Sequence, residues 1–193
     1  MSTTELNNRL RLINQYCQWI DQLIEHGRDD DLWDGSLVSL MFDHISGGLS
    51  RRSSIMLDEV DRIYNTLIRH CVRDTRSPTQ RKRLPIALFA LDNKLGAFNR
   101  NRRIRPLNSN DGLHVHGVVL VHLDCRLRVT LEMHVNQFSH YYVRDDRPLR
   151  RFHVAPIRSA PGAAVDYTLK SLKAKFEDDE LLVLPKSKSE FPS

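Results

Sequence analysis

Apolar residues recur in alternating steps of four and three near the start of the chain. Leu6, Leu10, Ile13, Cys17, Ile20 and Ile24 fall on one stripe, with Trp19 and Leu23 beside it. On a period of 3.6 residues this predicts an amphipathic helix over residues 4–26, closed by Gly27. The acidic stretch RDDDLWDG is a break, and its Asp29-Asp30-Asp31 run reads as a turn at the helix end, not as a metal site. LVSLMFDHI, residues 37–45, fits either a helix or a strand. After the loop SGGLSRRSS, where Ser53 or Ser54 could cap, a second helix is predicted from Ile55 to Val72. Its stripe is Met56, Val60, Ile63, Leu67 and Cys71, with Ile68 adjacent. Both stripes read as core. The two helices are expected to pack as a pair, making residues 1–75 a helical N-terminal region.

The pattern changes at Arg73. RDTRSPTQRKRLP is polar, basic and broken by two prolines, so it reads as a linker. PIALFAL, residues 85–91, is a short continuous apolar run and predicts a buried strand. A basic loop follows, with Arg100, Arg102, Arg103 and Arg105 close together. LHVHGVVLVH then reads as another buried strand. In it His114, His116 and His122 stand at even intervals and so share one face. In RLRVTLEMHV, Leu127, Val129, Leu131 and Met133 alternate with Arg128, Thr130, Glu132 and His134, which predicts a half-exposed strand. AAVDYTLKSLKAKF returns to helical spacing: Val165, Leu169, Leu172 and Phe176 lie opposite Asp166, Lys170 and Lys173. Residues 177–193 form a C-terminal tail containing one apolar segment. Together these elements predict an α+β fold, an antiparallel sheet flanked by helices with an N-terminal helical extension.

Composition adds a few limits. The 193 residues, 40% hydrophobic and 27% charged, suit one domain with a substantial core. A formal net charge of +5 favours an anionic partner, most simply nucleic acid. Cys17, Cys71 and Cys125 are odd in number and widely spaced, so reduced thiols are expected in place of a disulfide framework. The polar start MSTTELNNRLRLIN has no apolar signal segment, and no run is long enough to span a membrane. A soluble cytoplasmic protein is expected, with no membrane partner.

The residues with chemistry lie in the second half. His114 and His116, at i and i+2 on a strand, project in parallel and suit two ligands of one divalent ion. A carboxylate, amide or further histidine would complete the set. Tyr167 can act as a nucleophile that keeps a cleaved strand end covalently attached. Lys170, one helical turn on, can orient a phosphate or lower the phenol's pKa, and Lys173 extends that basic face.

Together, His114-Val115-His116 and DYTLKSLK, with Tyr167 and Lys170, resemble the HUH and Tyr-x-x-Lys motifs of rolling-circle replication initiators. The resemblance covers residues 84–176. It implies an HUH-like nuclease domain that binds Mg2+ or Mn2+ and nicks single-stranded or origin DNA through a 5′-phosphotyrosine intermediate. Tyr167 and Lys170 would be catalytic and His114 and His116 would bind metal. Arg100, Arg102, Arg103, Arg105 and Lys173 would contact the DNA backbone. The family's first motif usually ends its strand in Thr or a similar residue, whereas here the strand ends ALDNK, offering Asp92 and Asn93. The third ligand is open among Asp92, Asp111, Glu132 and His122. The single motif tyrosine argues against a two-tyrosine cycle. Phe98, Tyr141, Tyr142 and Phe152 could stack on bases, although aromatics beside apolar strands are expected in the core. Two other functions fit the pattern: a non-catalytic nucleic-acid-binding protein on the same scaffold, and an interaction protein that dimerises through the helices of residues 4–72.

Overall fold

A computed structural model describes residues 3–25, 32–93, 109–158, 161–170 and 181–186. The fold is α+β. Five antiparallel strands form one sheet: β1 (Trp33–Phe42), β2 (Ile86–Asn93), β3 (Leu113–His122), β4 (Leu149–Pro156) and β5 (Leu181–Leu184), in the order β4-β1-β3-β2-β5. Helices α1 (Thr3–Glu25), α2 (Leu49–Cys71), α4 (Leu131–Gln137), α5 (Ser139–Tyr142) and α6 (Pro161–Thr168) surround it, with a short α3 (Pro78–Arg81) before β2.

The central strand explains the layout. All ten residues of β3 are buried, because it pairs with β1 and β2 and both of its faces are covered. Val115, Val119 and Val121 join Phe89 and Leu91 against the stripe Met56, Val60, Ile63 and Leu67 of α2. Val118 and Leu120 join Leu88 and Ala90 on the other face, against Ile13 and Ile20 of α1, Val165 of α6 and Leu169 just after it. The two long helices therefore do not form the expected pair; they cover opposite faces of the sheet. Residues 1–75 are not helical throughout either. They contain β1, an inner strand bonded to both β3 and β4.

Two further expectations need correction. The alternation over 127–134 does not make a strand. Arg128 has a φ of 59°, which breaks extended backbone, and Thr130 then caps α4 by accepting from the Met133 N–H at 3.3 Å. The stretch 37–45, open between helix and strand, lies mostly in β1. β4 arises in a segment where the sequence marked no element, and the apolar part of the tail is the edge strand β5.

Gly117 fixes the contact between β2 and β3. Its register partner is Phe89, and a Cβ at Gly117 would overlap that ring and approach the Leu88 carbonyl. Gly117→Ala is expected to lower stability by about 2–3 kcal/mol, read as an earlier midpoint in urea at unchanged slope.

Candidate functional site

The site is built at the end of β2 and the start of β3. Antiparallel pairing sets Asp92 opposite His114 and Ala90 opposite His116, so all three polar side chains leave the same face. Asp92 Oδ2 lies 3.4 Å from the Nε2 of each histidine, and the two Nε2 atoms are 2.9 Å apart. These three buried groups offer ligand atoms that all lie within 4.8 Å of one another.

Each imidazole is held from behind. His114 Nδ1 is 2.8 Å from the Gly112 carbonyl, which can only accept, so Nδ1 carries the proton and Nε2 turns its lone pair to the site. His116 Nδ1 meets Ser39 Oγ at 2.9 Å, a hydroxyl that can donate or accept. Ser39 is the register partner of His116 on β1.

Burial alone would raise the pKa of Asp92. His114, His116 and Lys170 outweigh it and hold the carboxyl far below the ordinary range. Lys170 Nζ is 2.7 Å from Asp92 Oδ2, yet that oxygen is buried without an aligned hydrogen bond. The contact is an ion pair of close approach. Burial would lower the Lys170 pKa, but Asp92 and then Tyr167 raise it above its usual value. A buried, ionised carboxylate oxygen facing two imidazole nitrogens is the donor set a divalent cation satisfies. Asp92, His114 and His116 can hold a metal ion.

The last wall is α6. The Gly162 N–H donates to Asp21 Oδ1 of α1, and a side chain at position 162 would overlap that carboxylate. Val165 and Leu169 are fully buried below, which turns Tyr167 outward at 44% exposure. Its ring centroid is 5.2 Å from that of His116, and Lys170 Nζ stands 4.0 Å from the centre of the Tyr167 ring. The expected residues Tyr167, Lys170, His114 and His116 therefore meet at one site. Ser39, Asp21, Gly112 and Gly162 support them, although no motif marks these four. Only strand pairing or helix packing places them, although Ser39 stands out as a polar residue in the apolar run LVSLMF.

Of the four candidates for a third ligand, Asp92 joins the histidines. Asp111 is turned to solvent and paired with Arg52 at 2.8 Å. His122 sits at the far end of β3, edge-on to Trp33 at 5.1 Å, and accepts from the Asp124 N–H. Glu132 lies on α4, which packs with the opposite face of the sheet. Arg100, Arg102, Arg103, Arg105 and Lys173 lie outside the described residues, as does Phe98. Tyr142 is buried with its ring edge-on to Phe152 at 5.2 Å, whereas Tyr141 is exposed.

Among the described residues, no helix is long and apolar enough to cross a membrane. Fold and site thus define an antiparallel α+β protein with a two-histidine, one-aspartate group beside a tyrosine-lysine helix. Compared with family models, curated proteins and solved structures, the chain matches none.

Proposed function

We propose that the chain is a metal-dependent single-stranded DNA endonuclease and strand transferase, of the kind that starts rolling-circle replication. The observation that carries this is the convergence of Asp92, His114 and His116 with Tyr167 and Lys170 at one site. Tyr167, half-exposed beside His116, is the nucleophile. Its Oη forms a bond to phosphorus while the bond from phosphorus to the 3′ oxygen breaks. The phenolic proton passes to solvent and the departing 3′ oxygen takes one up, so charge balances. The product keeps the 5′ phosphate on Tyr167, and attack by a 3′ hydroxyl reverses the step and rejoins a strand. Lys170 supplies positive charge beside the phenol and the phosphate. Asp92, His114 and His116 would hold Mg2+ or Mn2+, which supplies Lewis-acid polarisation of the phosphodiester. Ser39 and Gly112 keep the imidazoles aimed at the site.

The test is direct. The protein is incubated with a randomised single-stranded oligonucleotide library and Mn2+, then denatured and analysed by mass spectrometry. A DNA adduct that forms with Mn2+ and disappears with chelator is expected, and so is its absence from the His114→Ala/His116→Ala protein. Binding to the library without any adduct would instead identify a nucleic-acid-binding protein that does not cut.

A further inference from the structure

Two of the three cysteines meet on the sheet face opposite the metal-binding group. Cys71 is the last residue of α2, and Cys125 lies in the turn that follows β3. Both are buried in the apolar cluster beneath α2, although they are far apart in the chain. The backbone brings them together, because the Arg126 N–H donates to the Cys71 carbonyl at 2.9 Å. The thiols then meet side chain to side chain, with Cys71 donating to Cys125. Cys17 has no part in this, since it packs against the other face of the sheet.

The surroundings of the two sulfurs differ. The Leu127 N–H donates to Cys125 Sγ at 3.4 Å. Arg83 pairs with the adjoining Asp124 at 3.9 Å, and the charges of Arg128 and Arg83 both act on the Cys125 sulfur. The hydrogen bond from Cys71, helped by the Leu127 N–H and these charges, outweighs burial and holds Cys125 below the usual thiol range. The same hydrogen bond, together with burial, holds Cys71 above it, so Cys71 keeps its proton. A cysteine that served only as a small apolar filler would need neither donors nor cations around its sulfur. Cys125 also borders a hollow of about 530 Å³ shared with His122, Arg128 and the exposed Met133. That hollow gives a small oxidant a way to the sulfur.

From this pairing we propose that Cys125 and Cys71 are a peroxide-responsive modification site that closes to a reversible disulfide. The Cys125 thiolate attacks one oxygen of hydrogen peroxide and the O–O bond breaks. The second oxygen leaves as hydroxide, which takes a proton from solvent, and Cys125 becomes a sulfenic acid. The Cys71 sulfur then attacks the Cys125 sulfur and the S–O bond breaks. The departing hydroxide takes the Cys71 proton. Two thiols have lost two electrons, and one peroxide has become two waters. A dithiol reductant reverses the change. The disulfide ties the end of α2 to the turn after β3, closing a loop of about 54 residues that the reduced chain leaves open when unfolded. His114 and His116 lie at the other end of β3, so the inference does not draw on the metal-binding group or on Tyr167.

The unaltered protein is treated with a small excess of hydrogen peroxide, and the remaining thiols are blocked with N-ethylmaleimide. Digestion without reductant and mass spectrometry then read the linkage. A peptide joining Cys71 to Cys125 is expected, and dithiothreitol should abolish it. The oxidised protein should melt about 5–10 °C above the reduced one, and Cys71→Ala should remove that rise. In Cys71→Ala, dimedone should instead trap Cys125 as its sulfenic acid. The inference is overturned if Cys71 and Cys125 stay unlinked in the folded, unaltered protein. It is also overturned if the link appears only in urea, because the thiols would then not be meeting in the folded chain. Neither measurement uses DNA or a metal ion, so failure of the cleavage reading would leave both results unchanged.

Discussion

Tyr167→Phe is expected to abolish covalent attachment to DNA, at least about 10⁴-fold, while leaving Mn2+ affinity within about twofold. The substitution removes one oxygen and almost nothing else. The ring's edge contact with His116 at 5.2 Å and the position of Lys170 Nζ 4.0 Å from the ring centre use the ring and survive, and only the interaction of Lys170 with the phenolic oxygen is lost. Half of the side chain faces solvent, so no buried hydrogen bond is lost and the melting midpoint should not move. The phenol would be the nucleophile itself. Mass spectrometry of the DNA-treated variant is the measurement. An adduct formed as readily by the phenylalanine protein would remove Tyr167 from the chemistry. Slow metal-dependent cleavage without an adduct would mean that water takes the tyrosine's place.

How much of this site the sequence disclosed depends on what kind of neighbour each residue needs. His114 and His116 were readable because strand geometry is local: an even interval puts two side chains on one face. Tyr167 and Lys170 were readable for the same reason on a helix. Asp92 was one of four candidates because its partnership with the histidines is set by the register of β2 against β3. That register depends on long-range packing such as Phe89 over Gly117.

The elements that depart from the sequence pattern have the same origin. The stripes of α1 and α2 say that each helix is covered, but not by what. The unbroken burial of β3 carries the answer, since an inner strand apolar on both faces needs a helix layer on each. At 127–134 a period of two arose by chance, and the local signals of a backbone turn at Arg128 and a cap at Thr130 prevailed. The aromatic surface around Tyr141 was expected in the core. Its exposure follows from Arg62, whose guanidinium donates to the carbonyls of Tyr141 and Tyr142, 79 and 80 positions away.

Lys170→Met should tighten Mn2+ binding about tenfold or more while slowing adduct formation. The ammonium stands 2.7 Å from Asp92 Oδ2 and is the counter-charge of a carboxylate whose side chain is 4% exposed. A divalent ion held by Asp92, His114 and His116 would need the same oxygen and would lie close to the same positive charge. The lysine is therefore a competitor for the oxygen, and methionine keeps much of the apolar stem while removing the competition. Each 1.4 kcal/mol of competition removed corresponds to a factor of ten in affinity. Without metal the variant leaves a buried carboxylate facing only imidazoles, so it should be less stable by about 2 kcal/mol, and saturating Mn2+ should restore that loss. Electron paramagnetic resonance titration of free Mn2+ gives the affinity, and melting with and without Mn2+ gives the stability. Weaker Mn2+ binding by the methionine protein would reverse the assignment, making Lys170 a support for the ligands. The expected pairing, tighter metal with slower chemistry, separates a lysine that serves the phosphate and the phenol from one that merely neutralises Asp92. A purely neutralising lysine would become dispensable once the divalent ion had taken its place.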